Sequence, residues 1–142
     1  MGRLAVRQPA LSKGENMSVL NEVFYDCIAH DGMVAVATAS AEGIPHMANT
    51  WNKYLIVTDD EKILIPCFGF IQTEKNNRAQ PHVEITVGSP EVQGKMGMGT
   101  GCLLVGTAAF YKEGPLFDQM KSKCDFANRV LVFTPESCKQ TI

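Results

Sequence analysis

The sequence predicts a mainly β chain, a six-stranded antiparallel barrel with a few short flanking helices. Three observations predict it. The apolar runs are short and partly β-branched, as in MVAVATA, VEITV and VLVFT. Turn-forming clusters such as AEG and DDEK separate several of them. Helical patterns are few, whereas a doubly wound sheet needs a helix after every strand. A length of 142 residues suits one packed core and not two. The reading divides the chain into a flexible extension over residues 1–16 and one domain over 17–142.

The elements follow in order. From Ser18 to Ala29 the apolar residues Val19, Leu20, Val23, Phe24, Cys27 and Ile28 recur at helical spacing. Ser18 suits the start of that helix and Gly32 its end. Met33 to Ala39 reads as a buried strand. His46 to Val57 reads as one longer strand with polar and apolar residues interleaved, and Ile63 to Pro66 as a third. CFGFIQ is a loop, followed by a helix that Thr73 caps, with Glu74 favourable in the first turn. Val83 to Val87 alternates with period two and is a strand. Gly88 to Gly101 reads as a loop rich in Gly and Met, with Gly94 to Gly101 a mobile surface loop, and Cys102 to Tyr111 reads as a strand. Pro115 opens a short helix at the position where proline is tolerated. Val130 to Thr134 is the last strand, and ESCKQTI is a tail.

Composition excludes several function classes. The net charge is −2 and the 13 basic residues are scattered, so no nucleic-acid partner is expected. No run approaches the roughly 18 apolar residues of a membrane span. The first residues lack the apolar core of a signal peptide, and a cytoplasmic location is expected. The five cysteines are odd in number and form no C-x-x-C pair, which fits free thiols better than a disulfide framework or a zinc site. His30, His46 and His82 show no metal-ligand spacing. No nucleophile–base constellation stands out, so no catalytic residues are assigned, as suits a chain whose chemistry is lent by a cofactor.

Two segments carry groups that a ligand would use. Along Asn49 to Tyr54 (NTWNKY), both faces of a strand present amide, hydroxyl, indole or ammonium groups. Such groups need partners when buried. They suit either a ligand rich in acceptors or an exposed polar face. In Cys67 to Asn76 (CFGFIQTEKN), a helix start at Thr73 would offer free N–H groups to an anion, or would be a plain capped helix. Gly94 to Gly101 is neither a Walker loop, since Met96 follows Lys95, nor a dinucleotide fingerprint.

From Gly32 to Ile142 the sequence resembles the small FMN-binding proteins of sulfate-reducing bacteria, relatives of the pyridoxamine 5′-phosphate oxidase split-barrel superfamily. The resemblance rests on AVAT at Ala35–Thr38, G-x-P-H at Gly43–His46, and NTWN-x-Y-L at Asn49–Leu55. It continues in P-x-x-G-x-x-x-T-E at Pro66–Glu74, GTG at Gly99–Gly101, G-x-AAF at Gly106–Phe110 and the terminal QT plus an aliphatic residue. It implies a split β-barrel that forms a homodimer with FMN near the interface. Asn49, Thr50, Trp51 and Asn52 would line the pocket with Tyr54 nearby, and Pro66, Cys67, Phe68 and Gly69 would pass along the ring. Gln72 and Thr73 would hold the phosphate, while Phe126 and Ile142 would come from the other subunit. Two positions depart from the family. Gln72 stands where a lysine is usual, which weakens phosphate binding unless Lys75 or Arg78 compensates. Phe126 stands where tryptophan is common. The implied function is electron transfer, or reduction of a small substrate, with an unknown redox partner. The alternatives are an oxidase of the pyridoxamine-phosphate type, a flavin reductase, or a module binding haem or a deazaflavin.

Overall fold

The computed structural model describes residues 18–142. The expected extension over residues 1–16 lies outside them. The described residues form α1 (Glu22–Ile28), β1 (Met33–Ala39), β2 (Pro45–Trp51), a 3-10 turn (Asn52–Tyr54), β3 (Ile56–Val57), β4 (Ile63–Cys67), α2 (Ile71–Ala79), β5 (His82–Gln93), β6 (Met98–Tyr111), α3 (Pro115–Lys123) and β7 (Arg129–Gln140).

All seven strands join one antiparallel sheet in the order β2-β1-β5-β6-β7-β4-β3. Its two edges, β2 and β3, are consecutive in the chain. Trp51 and Ile56 are five peptide links apart, a reach of at most about 18 Å. The edges of a flat seven-stranded sheet would lie about 29 Å apart. The short link therefore forces the sheet to curl until its edges approach, which makes a barrel open along one seam.

Alternation fills the interior. Val34 and Val36 from β1, Val83, Ile85 and Val87 from β5, Leu104 from β6, and Leu131 and Phe133 from β7 are buried together. Phe24 and Cys27 on α1, and Leu20 just before it, join this core. Burying a side chain of the size of Phe24 contributes about 2 kcal/mol. A second cluster lies on the other face of β4 and β7, where Leu64, Val130 and Val132 meet Met120 and Cys124 of the α3 region. That cover explains why β4 is buried along its whole length.

Several local expectations are corrected. The strands number seven, not six, because the stretch from His46 to Val57 breaks at Asn52 into β2, the 3-10 turn and β3. Asn52 causes the break, since its Nδ2 donates to the carbonyls of Cys27 (3.2 Å) and His30 (3.0 Å). Helix α1 starts later than Ser18. Asn21 caps it by accepting from Phe24 N–H, while the Ser18 hydroxyl bonds Glu61 at 2.5 Å. The helix ends at Ala29 and not at Gly32. A Cβ on Gly32 would sit 2.6 Å from the Gly88 carbonyl oxygen and 2.7 Å from Asn52 Nδ2, so that glycine serves a close approach. The segment from Gly88 to Gly101 is mostly strand, paired as Gly88↔Gly101 and Ser89↔Thr100, with a register shift before Gln93. The tail from Glu136 to Gln140 continues β7 and pairs with β6.

Candidate functional site

Helix α2 begins two residues before Thr73. Phe70, in the left-handed conformation (φ 62°), occupies the cap position and offers no side-chain hydrogen bond. The first N–H groups of a helix have no partner within it, and among the described residues no side chain caps them. Thr73 lies in that first turn and is fully buried. Its Oγ1 has no hydrogen-bond partner, which is unusual for a buried hydroxyl. Gln72 is exposed, and its Nε2 donates to Asn76 Oδ1 at 2.8 Å. The Asn76 Nδ2 in turn donates to Thr38 Oγ1 at 3.1 Å and holds α2 against β1.

Cations near this turn are mostly committed. Arg78 pairs with Glu74 at 3.3 Å on the exposed side. Arg129 is buried. Its Nε meets Glu74 Oε1 at 3.0 Å, one terminal nitrogen donates to the Gly69 carbonyl, and the guanidinium lies 5.7 Å from the Phe110 ring centre. Its other terminal nitrogen has no partner. Cys67, opposite Arg129 in the β4–β7 pairing, is buried. Burial pushes its thiol up to about 12 against the pull of the Arg129 guanidinium. At neutral pH it is a protonated packing group and not a nucleophile.

The seam's other bank carries the NTWN segment. Thr50 faces inward beside Val34 and is buried. Asn49 and Trp51 face outward beside Ala35 and Met33. Trp51 and Met33 are about half exposed at 50% and 51%, with Met47 on the same face. Among the described residues nothing covers this apolar surface on the outside of the sheet. Asn52 is buried and its Nδ2 is spent on the end of α1, while its Oδ1 has no partner.

Tyr54 and Phe126 meet edge to face at 5.2 Å within one chain. With Lys53, Ser122, Lys123, Cys124 and Asp125 they line a cleft of 470 Å³. The loop that carries Phe126 is braced by Lys121, whose Nζ donates to the carbonyls of Asp125 and Ala127. Asn128 N–H donates to the Cys67 carbonyl, which ties that loop to Phe68 and Gly69. Phe68 is exposed. Pro66 is buried in β4 opposite Val130. Ile142 lies elsewhere. Its carbonyl accepts from Thr100 Oγ1 and Lys95 N–H.

The structure thus gathers Tyr54 with Phe126, and Cys67 to Gly69 with the Arg129 end of β7. It places Gln72 and Thr73 on the helix that packs against β1 and β2. Ile142 is not joined to either group within one chain. The sequence reading missed Arg129. The charge alone gave no signal, because a surface arginine at the start of a strand looks the same.

Comparison with known proteins places the fold in a family. The family model described as pyridoxamine 5′-phosphate oxidase matches residues 20–142. The FMN-binding protein of Nitratidesulfovibrio vulgaris (strain DSM 19637 / Miyazaki F) is 40% identical over 124 residues, covering 87% of this chain and all of that one. Among crystal structures, HupZ of Group A Streptococcus superposes with a TM-score of 0.68 at 20% identity, over 84% of this chain and 91% of that one. An FMN-binding protein from Syntrophomonas wolfei subsp. wolfei gives 0.68 at 17% identity, over 85% of each chain. The two structures share the fold, and the family model and the sequence relative fix the lineage: this chain belongs to the pyridoxamine 5′-phosphate oxidase family, beside its small FMN-binding split-barrel members.

Proposed function

We propose that the chain binds FMN without a covalent bond and carries electrons as a homodimer. The observation that carries the reading is the first turn of α2. It combines uncapped N–H groups with a buried, unpartnered Thr73 hydroxyl, which fits the donor set that a phosphate ester takes. The relative named as FMN-binding supports the choice of flavin.

In this reading the chain's residues bind and orient the cofactor. Gln72 and Thr73 hold the phosphate. Asn49 and Trp51 face the ring, with Thr50 packed beneath them, and Pro66 to Gly69 run along its edge. Asn52 is a positioning residue, because its amide fixes the turn that carries Tyr54. Lys75 is the cation of α2 left outside the Glu74 pairs, so it offsets the lysine replaced by Gln72. A second copy buries the Met33, Met47 and Trp51 surface and brings Phe126 and Ile142 over the ring. FMN supplies one- or two-electron transfer. Cys67 stays protonated and takes no part.

The direct test is an absorption spectrum of the purified protein, with the mass of whatever denaturation releases. Oxidised-flavin bands and the mass of FMN are expected. Haem bands or a deazaflavin mass would replace the reading with another ligand. Turnover with NADH or with pyridoxine phosphate would make the chain an enzyme.

Thr73→Val tests the carrying observation. Valine matches the shape and removes the orphaned hydroxyl, so the cofactor-free protein should gain about 1 kcal/mol. The dissociation constant for FMN should rise about tenfold, because a hydrogen bond to a charged group is lost. Urea titration and flavin fluorescence read the two effects. If affinity stays the same while stability rises, the hydroxyl is not part of the phosphate cradle.

A further inference from the structure

A pair of cysteines at the far end of the barrel is used by nothing described so far. Cys102 on β6 and Cys138 on β7 are diagonal neighbours, since Leu104 faces Cys138 and Cys102 faces Gln140 in the strand pairing. Both side chains point to the same face and join the main core. The two thiols influence one another's protonation, Cys138 being lowered by Cys102 and Cys102 raised by Cys138. Asn21 brackets the pair. Its Oδ1 lies 3.6 Å from Cys102 Sγ and its Nδ2 is 3.5 Å from the Cys138 carbonyl oxygen.

Exposure separates the two. Cys102 is buried, as are Cys27, Cys67 and Cys124, while Cys138 is half-buried. We propose that Cys102 and Cys138 form a reversible thiol–disulfide site, in which Cys138 is the entry thiol and Cys102 the resolving thiol. The oxidant class is a low-molecular-weight disulfide.

The step balances. The Cys138 thiolate attacks one sulfur of the small disulfide and expels a thiolate, which takes up a proton. The Cys102 thiol loses its proton and attacks Cys138 Sγ, and a second small thiol leaves. Two protein thiols lose two electrons and two protons, and one small disulfide becomes two thiols.

Electrostatics supports this order. The Cys102 thiol and the Asn21 backbone N–H favour the thiolate at Cys138 and lower its pKa below the ordinary thiol value, although burial and Glu61 oppose them. Cys102 is pushed up, first by Cys138 and then by burial. Cys27 is raised by burial. Thiolate character and access therefore coincide at Cys138 alone among the five cysteines.

Diagonal neighbours across strands lie about 7–8 Å apart at Cα. A disulfide spans at most about 7 Å without backbone movement, so the two strands must shift to close it. Closing the bond draws β6 and β7 together, and a bond closed under such tension is readily reduced. The pull falls just before Gln140, whose Nε2 bonds Thr100 Oγ1 at 3.1 Å and thereby fixes the C-terminal residues.

The test uses the full chain at pH 7.5 with oxidised glutathione, followed by intact mass and peptide mapping. Wild type should lose two hydrogens and yield a Cys102–Cys138 cross-linked peptide, and dithiothreitol should reverse both. Cys102→Ser should stop at a stable glutathione adduct on Cys138. Cys138→Ser should give no adduct on Cys102. A wild-type adduct that never resolves, a cross-link between two chains, or five unreactive thiols would each overturn the proposal. The wild-type map decides the matter even if a variant fails to fold. The outcome does not depend on flavin, so it stands or falls apart from the FMN reading.

Discussion

Glu74→Ala should destabilise the protein by about 3 kcal/mol, read as a lower midpoint in urea unfolding with an unchanged slope. Glu74 is the anionic partner of Arg129, whose side chain is only 10% exposed. Removing it leaves a guanidinium in the barrel end with the Gly69 carbonyl and the Phe110 ring as company. Breaking a buried pair from one side costs about 3–5 kcal/mol. The lower figure applies because Glu74 itself is 21% exposed. The Arg78–Glu74 pair on the surface adds little. The double variant Glu74→Ala with Arg129→Met should recover most of the loss, because an apolar side chain needs no counter-charge. A drop below about 1 kcal/mol in the single variant would mean that the guanidinium is already solvated.

Gly106→Ala should cost at least about 3 kcal/mol, above the usual range for overpacking. A Cβ built there meets the Thr134 carbonyl oxygen at 2.1 Å, the Phe133 ring at 3.0 Å and Pro135 Cα at 3.0 Å. Two of these are backbone atoms of the paired strand and cannot rotate away. The position coincides with the register shift between Val105 and Gly106, where β6 and β7 crowd together. Gly114→Ala makes a contrast. It has φ 105° but nothing within 4 Å, so only backbone strain of about 1–3 kcal/mol applies. Thermal unfolding of both variants separates the two causes. Equal losses would show that contact with the Thr134 carbonyl is not what excludes a side chain at Gly106.

The barrel was legible because alternation in VEITV and the apolar run in MVAVATA are local signals, and a curled antiparallel sheet is what such strands build. Proline at the start of α3 was read correctly for the same reason. Errors fell where a distant residue overruled a local signal. Ser18 is a good cap by type, yet Glu61 takes its hydroxyl, and no local window contains both. Asn52 continues a strand pattern, but two carbonyls at the end of α1 claim its amide. The glycines from Gly88 to Gly101 suggested a loose loop. Instead Gly101 lets two paired backbones approach, since a Cβ there would lie 2.4 Å from the Val87 carbonyl oxygen.

The site divides in the same way. The NTWN segment and the turn before α2 were legible as donor-rich segments. The capping role given to Thr73 was not correct, because the helix starts at Ile71 with Phe70 before it. The burial of Thr73 comes from α2 packing across β1, which no spacing in the sequence encodes. Arg129 was invisible for the same reason. Its importance lies in Glu74 and Gly69, both more than fifty residues away in the chain.

The strand order also governs how the chain reaches its final form. Strands β1 and β2 pair as soon as residue 51 exists, but β4 waits for β7. Loop closure over such separations slows folding toward the millisecond-to-second range of barrels rich in non-local pairings. Strand β7 is the single bridge between the β6 and β4 portions of the sheet. Until it arrives, β6 and β4 are open edges able to pair with other chains. A growing chain therefore carries these two open edges until Arg129–Gln140 has been made, and β7 then covers both in one step.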